Sequence, residues 1–335
     1  MSKTRPDAPP GAIATWLLAC CGLIFAMVLL GGITRLTESG LSIVHWRPFT
    51  GWLPPLSDRE WAATFDAYRN SPEFRQLNFW MTIEDFKRIF WLEFLHRLLG
   101  RIVGIAYLLP FLWFVVRYRL RGALAWRLFL MFLLGGAQGA LGWYMVKSGL
   151  VDRPSVSQYR LAAHLGLAVL IYGFLLHTAI GMVRRGAAPG PLTQRGAGLF
   201  ALLVFATMTW GAFLAGIDGG TVFNTFPSMD GYVVPPVAFS MTPVWVNAFE
   251  NVALVQFIHR VLGIATAAAA IFTWWRYRAA GGSRAVPAMA AVAALQFCLG
   301  IATVLTGASI FVAWAHQAGA LVLFSCAVWA WRDAR

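Results

Sequence analysis

The most regular feature of the chain is a succession of apolar runs, each near the ~20 residues that a helix needs to cross a hydrocarbon core about 30 Å thick. Eight can be marked, over residues 13–33, 89–116, 124–146, 158–183, 195–217, 248–275, 285–306 and 309–331. Between the first two runs the pattern changes. Ser57 and Glu60 make a capping-box pair ahead of Trp61, Phe65 and Tyr68, which recur at i, i+4 and i+7. That spacing predicts a helix lying on the outer surface, its aromatic face used for packing or interfacial anchoring.

Composition agrees with a bilayer. Of 335 residues, 59% are hydrophobic and 12% charged, which excludes an ordinary soluble fold. The 32 Gly and 16 Trp suit helices that approach one another closely and anchor at the headgroup level. A formal net charge of +13 raises nucleic acid as a partner, but the basic residues sit in short clusters between apolar runs, so no nucleic acid is expected.

Those clusters orient the chain. Lys3 and Arg5, then Arg117, Arg119, Arg121 and Arg127, then Arg184, Arg185 and Arg195, then Arg276, Arg278 and Arg284, and finally Arg332 and Arg335 fall on one side. Against them stand only Asp7 and Asp333, whereas the alternate loops carry most of the acids, Asp152 among them. By the positive-inside rule both termini are cytoplasmic. The first run is long for a signal peptide and no A-x-A site follows it, so it is read as a retained helix. No Arg- and Ser-rich leader is present, which points to a bacterial inner membrane. The cysteines, Cys20, Cys21, Cys298 and Cys326, all fall in predicted helices without C-x-x-C spacing, which argues against structural disulfides and covalent haem attachment.

The two halves repeat. Phe94-Leu95-His96-Arg97-Leu98-Leu99-Gly100 matches Phe257-Ile258-His259-Arg260-Val261-Leu262-Gly263. Gln138 through Gly142 matches Gln296 through Gly300, and Ala163-His164 matches Ala315-His316. The expected fold is therefore an all-α integral membrane protein whose eight transmembrane helices form two tandem four-helix bundles, related by a pseudo-twofold axis along the membrane normal. Residues 1–190 would form the N-terminal bundle, with a long outer loop over 34–88, and residues 191–335 the C-terminal one.

Four of the six histidines occupy equivalent positions, His96 with His259 and His164 with His316. An ionisable residue in a spanning helix is costly and marks function more often than not. Two imidazoles per half, from different helices, are what a bis-His haem iron inside a four-helix bundle requires. All four sit roughly 24–32 Å from the cytoplasmic end, toward the outer face. His177 lies about 220° around the helix from His164 and ~20 Å deeper, a structural position. His45 lies in the outer loop and is assigned to the surface. Three residues before the first histidine the halves differ, with Glu93 in one and Gln256 in the other. A carboxylate can accept a proton or stabilise positive charge where an amide only hydrogen-bonds, so the first half is read as the reacting site and Glu93 as its catalytic residue. A simple pairing of Glu93 with a neighbouring cation is the alternative. Arg97 and Arg260 follow the ligands directly and are candidates for haem propionate contacts, or for interfacial snorkelling.

Glu93-Phe94-Leu95-His96-Arg97, the second His-Arg pair, His164, His316 and the segment Gly31-Gly32-Ile33-Thr34-Arg35-Leu36-Thr37-Glu38-Ser39-Gly40-Leu41-Ser42 together resemble the haem A synthase family over essentially the whole chain. The resemblance implies an oxidoreductase that converts the C8 methyl of haem O to the formyl group of haem A for terminal oxidases. Substrate would sit between His96 and His164, and a haem b cofactor between His259 and His316. Some family members carry cysteine pairs in their outer loops; this sequence resembles the subgroup without them. Implied partners are haem O as substrate, haem O synthase, cytochrome oxidase assembly factors and the lipid bilayer. Direct transfer from haem O synthase and pairing with a second copy in a homo-oligomer stay open. The competing class is a non-catalytic dihaem b-type cytochrome exchanging electrons with quinol or an outer-face partner. A haem carrier without chemistry is a third.

Overall fold

The computed structural model describes residues 6–47, 50–118, 120, 122–150, 156–184, 190–279 and 283–335. Lys3, Arg5, Arg119, Arg121, Asp152 and Arg185, used above to orient the chain, lie outside them. Among the described residues ten α-helices follow in order: α1 Pro10–Leu36, α2 Asp58–Arg69, α3 Ile83–Arg117, α4 Gly122–Gly149, α5 Gln158–Val183, α6 Gln194–Gly216, α7 Asn247–Glu250, α8 Val252–Tyr277, α9 Ala285–Leu305 and α10 Ile310–Asp333. No β-strand is formed among the described residues, and Met229 pairs with Tyr232 in an isolated bridge. All but α2 and α7 are long and apolar enough to span a membrane, and the chain is a multi-pass membrane protein.

Helix ends follow local chemistry. Pro10 opens α1, where its missing N–H costs nothing. At the other end Glu38 adopts a left-handed φ of 53°, while Glu38 and Ser39 return their N–H groups to Arg35 and Thr34 carbonyls. Asp218 ends α6 with the same φ of 53°. The box predicted at Ser57 is present, with Ser57 Oγ accepting from the Glu60 N–H and Glu60 Oε2 accepting from the N–H of Ser57 and of Leu56. A second box, Thr82 with Asp85, starts α3 six residues before the apolar run does. The intervening turns carry Glu84, Asp85, Lys87 and Arg88, so α3 continues outward as a water-compatible extension. Onto it α2 lays its aromatic face: ring centroids are 4.9 Å apart for Trp61 and Phe90, 5.2 Å for Phe65 and Phe86, and 5.1 Å for Tyr68 and Phe86.

The chain separates into two compact units, Met1–Arg160 and Leu161–Arg335. In the first, α1 packs on α3 through the Trp16 indole, which donates to the Ala106 carbonyl at 2.9 Å, and the Tyr107 hydroxyl of α3 donates to the Leu128 carbonyl of α4 at 2.8 Å. The second unit takes in nearly all of α5, so compactness divides the chain ahead of the 190/191 boundary marked by the duplication. The reason is packing: Tyr172 and Ser325 hydroxyls pair at 2.7 Å, Arg184 Nε donates to Asp333 at 2.8 Å, and His177 packs on Trp331 with centroids 5.4 Å apart. His177 thus sits in an α5–α10 packing contact.

Candidate functional site

In the second unit α8 carries His259 and α10 carries His316, each within about the first two turns of its helix. Their ring centroids lie 6.3 Å apart, with the planes at 89°. An imidazole nitrogen is about 1.1 Å from its ring centre and about 2.0 Å from a first-row metal, so two axial imidazoles on one iron have centres about 6.2 Å apart. The observed pair has that spacing. Among the described residues, no three of His, Cys, Asp and Glu converge. Two imidazoles with no third ligand suit an iron whose remaining ligands belong to a porphyrin.

Each ring is also oriented from behind. His259 Nδ1 faces the Thr207 carbonyl of α6 at 3.1 Å. A carbonyl only accepts, so this contact puts the ring proton on Nδ1 and leaves Nε2 as the nitrogen with a lone pair. His316 Nδ1 faces the Gln296 side-chain amide of α9 at 3.0 Å. One turn beyond each of these partners is a glycine. A Cβ on Gly211 would fall 3.0 Å from His259 Cε1, and one on Gly300 would fall 3.0 Å from His316 Cε1. Each imidazole therefore lies across an i, i+4 step of the neighbouring helix, Thr207–Gly211 or Gln296–Gly300. In the first unit His96 of α3 is received by α1 in the same way, with a Cβ on Gly31 falling 3.0 Å from its Cε1. His164 lies in α5, near its start and within the second unit.

Glu93, one turn before His96, is only 2% exposed. Its Oε2 accepts from the Ser42 hydroxyl at 2.7 Å and the Ile43 N–H at 2.8 Å, and its Oε1 from Arg97 Nε at 3.0 Å and Nη2 at 2.6 Å. Arg97 also donates to the Ile43 carbonyl at 2.8 Å and the His45 carbonyl at 3.4 Å. The His45 side chain itself is exposed. Arg260 repeats the grip in the second unit, donating to the carbonyls of Phe223 at 2.6 Å, Thr225 at 2.9 Å and Ser228 at 3.1 Å. Gln256, 1% exposed, replaces Glu93 and donates to the Val222 carbonyl at 2.9 Å. The loop beside each histidine is thus tied to the histidine's helix by the arginine that follows it. In the first unit it presents donors to a carboxylate; in the second it presents a carbonyl to an amide.

Outside the spanning segments, Glu73 is buried beside the α2 aromatic cluster, and Tyr68 donates its hydroxyl to Glu73 at 3.0 Å. Burial pushes the Glu73 carboxyl up to about 7, a shift that the neighbouring charges of Glu93 and Glu38 reinforce and the Tyr68 bond opposes. The same burial raises the Tyr68 phenol.

Sequence reasoning picked out the four histidines, Glu93 and Gln256, but not the groups that hold them. Gly31, Gly211, Gly300, Gln296, Ser42 and the Thr207 carbonyl received no role. A signal existed for two: the repeated Gln-x-x-x-Gly of 138–142 and 296–300 places amide and glycine on one helix face.

A family model described as cytochrome oxidase assembly protein matches residues 14–328. The chain is 49% identical over 332 residues to a protein named "Heme A synthase" from Rhodospirillum centenum, covering 97% of this chain and 89% of that one. It is 46% identical over 327 residues to the protein of that name from Parvibaculum lavamentivorans, with 97% and 95% covered. To the one from Nitrosospira multiformis it is 46% identical over 330 residues, with 95% and 92% covered. With the His259–His316 pair, the arginine-tied loops and full-length similarity in agreement, the chain belongs to the haem A synthase family of cytochrome oxidase assembly proteins.

Proposed function

We propose that this chain is a haem A synthase, a membrane oxidoreductase that converts the C8 methyl of haem O to the formyl group of haem A. The observation that carries the reading is the second unit's pair of imidazoles, 6.3 Å apart between ring centroids, with a glycine behind each ring; they would hold one iron between them. His259 and His316 would hold a haem b there, and when bound it supplies one-electron transfer. By the register of the duplication, His96 and His164 would ligate the iron of the substrate.

The chain's own residues supply position and charge. Gly31 lets His96 approach α1 closely, and Arg97 with Ser42 and Ile43 pins the loop beside it. Glu93 is an acceptor on every side, each of its oxygens receiving two hydrogen bonds. A carboxylate so occupied has little capacity left to take a substrate proton, which favours electrostatic stabilisation of positive charge developing at the methyl over general-base work. Arg97 gives two N–H groups to Glu93 and two to the Ile43 and His45 carbonyls, and Arg260 gives three to loop carbonyls. One Nη1 hydrogen of Arg97, and the Nε–H and one Nη2 hydrogen of Arg260, would remain for a propionate.

The site is placed toward the periplasmic side of a bacterial inner membrane, with both termini cytoplasmic, as the distribution of basic residues supports. Haem O synthase and cytochrome oxidase assembly factors are its proposed partners. Pigment extraction from the purified protein, with and without co-expressed haem O supply, tests the activity. Haem A or an oxidised intermediate should appear beside haem b only with the supply. Two permanent, identical haems would instead make the chain a dihaem cytochrome.

A further inference from the structure

The segments that follow α1 and α6 differ in what they expose. The first carries Asp58, Arg59, Glu60, Asp66, Glu84 and Lys87 among its charges. The second runs from Gly231 to Phe249, between Asp230 and Glu250, without a charged residue. Its surface is apolar, with Val233, Val237, Phe239, Val244 and Trp245 all exposed. Only its inner side is used by the protein, where Ala238 packs with Ala253 and Leu254 at the start of α8. An uncharged apolar patch of this kind marks a surface that something else covers.

Helix length says what lies beside it. Arg117 and Arg276, at the basic ends of α3 and α8, mark one membrane surface. From Arg276 back to Val252 is about 36 Å, so the first turn of α8 stands only about 6 Å beyond a hydrocarbon core of about 30 Å, at headgroup depth. From Arg117 back to Ile83 is about 51 Å, which carries the first turn of α3 about 20 Å beyond that core, into water. The backbone of the uncharged segment is fitted to its depth. Irregular chain enters a membrane boundary only with its polar groups paired. Pro235, Pro236 and Pro243 bring no N–H to be satisfied. Asn247, fully buried, accepts from the Met241 N–H at 3.0 Å and donates to the Met241 and Val244 carbonyls at 2.8 and 2.9 Å. Asn251 donates to the Val237 carbonyl at 2.7 Å and caps α8 by accepting from the Ala253 N–H at 3.0 Å. Two asparagines thus fasten the segment from inside and leave its apolar side chains facing out.

We propose that residues 231–249 are an interfacial anchor, with Phe239, Val244 and Trp245 seated among the headgroups and upper acyl chains of one leaflet, while the segment before α3 stands in water. Gln256 and Arg260 of α8 hold the preceding turn through the Val222, Phe223 and Thr225 carbonyls, so the anchor steadies the loop beside His259.

The test compares residues of one kind and similar exposure in the unmodified chain. Trp80 is 61% exposed and Trp245 65%, while Phe79 is 70% exposed and Phe239 60%. The full-length protein, purified into nanodiscs of phosphatidylcholine and phosphatidylglycerol, is pulsed with hydroxyl radicals, and oxidation is read at each residue by mass spectrometry. Trp245 and Phe239 should be oxidised several-fold more slowly than Trp80 and Phe79. Equal oxidation within each pair would overturn the proposal. Protection of Trp245 in native membranes but not in nanodiscs would overturn it as well, giving the surface to a protein partner. Contact with lipid is read directly from Val244→Cys carrying a bimane fluorophore, with the parent chain treated alike to correct for Cys298. Nanodisc lipids bearing a nitroxide on the acyl chain should quench it several-fold more than the same label at Asp66→Cys, an exposed position of α2. Quenching no stronger than at D66C would overturn the anchor.

Discussion

Replacing Gly211 by alanine puts a methyl group 3.0 Å from His259 Cε1. Ordinary carbon–carbon contact begins near 3.5 Å, so the ring must retreat by about 0.5 Å. Ligand-to-metal distances are held within about 0.2 Å, so a retreat of that size cannot be taken up in the coordination bond alone. Turning the side chain off its rotamer instead costs about 0.5–1.5 kcal/mol, which at about 1.4 kcal/mol per factor of ten corresponds to roughly 2- to 12-fold weaker haem retention. The same substitution at Gly300, against His316, should act alike. Gly31→Ala should weaken the substrate side and leave haem b in place. The controls are Gly22 in α1 and Gly263 in α8, where an added Cβ meets no heavy atom within 4 Å. Alanine there gains about 0.5–1 kcal/mol of helix propensity and should leave pigment unchanged. Haem per polypeptide after gel filtration, followed by the rate of haem transfer to an excess of acceptor, gives the comparison. Equal retention in G211A, G300A and G263A would show that these rings are not gripped as the structure places them.

Glu93→Gln should leave haem b bound and stop haem A formation, read by chromatography of extracted pigments; an unchanged yield takes Glu93 out of the mechanism. The converse, Gln256→Glu, brings a carboxylate against the Val222 carbonyl with no donor to receive it, and should cost about 2–4 kcal/mol or shift the loop, read as earlier proteolysis of residues 219–246. Glu73 gives a pH signature. Its folded carboxyl titrates near 7 against an ordinary 4.5, so between those values the unfolded chain is ionised while the folded one holds its proton. Stability therefore falls as pH rises from about 4.5 to 7 and levels off above. The ceiling is about 3.5 kcal/mol at about 1.4 kcal/mol per pH unit. Thermal unfolding of Glu73→Gln should lose this slope, and an identical pH profile in the variant would contradict the assignment. Ser57→Ala removes the α2 cap and should destabilise that helix by about 1 kcal/mol, seen as faster amide exchange across residues 58–69.

The spanning helices were legible because a bilayer leaves little choice: apolar runs of that length have one stable conformation in lipid. Their limits differ from the runs by a few residues, most at α3, where Glu84, Asp85, Lys87 and Arg88 hid an outward extension that the Thr82 box begins. The His259–His316 couple was visible through the repeat, and the Ser57 box through local spacing. The backing of the rings was not. A glycine is silent until a neighbour's ring is known to lie over it, and the Thr207 carbonyl has no side-chain identity at all. The arginines were also underread. Sequence placed Arg97 and Arg260 beside the ligands but could not show that Ile43, His45, Phe223 and Thr225 would present carbonyls to them.

The difference between Glu93 and Gln256 is the point at which these observations meet. Both side chains are buried, both precede one of the repeated histidines by three residues, and both face the segment that follows a left-handed acid, Glu38 or Asp218. What changes is the polarity of that segment. After Glu38 it offers the Ser42 hydroxyl and the Ile43 N–H; after Asp218 it offers the Val222 carbonyl. A carboxylate matches the first set and an amide donor the second, so neither residue can be exchanged without leaving a buried group unsatisfied. The carboxylate beside His96 is therefore matched by the loop as well as by the helix, with Arg97 pairing its charge, while in the second unit Arg260 lies one turn beyond an uncharged amide. On the proposed reading, the unit that acts on substrate carries the carboxylate and the unit that only moves electrons does without one.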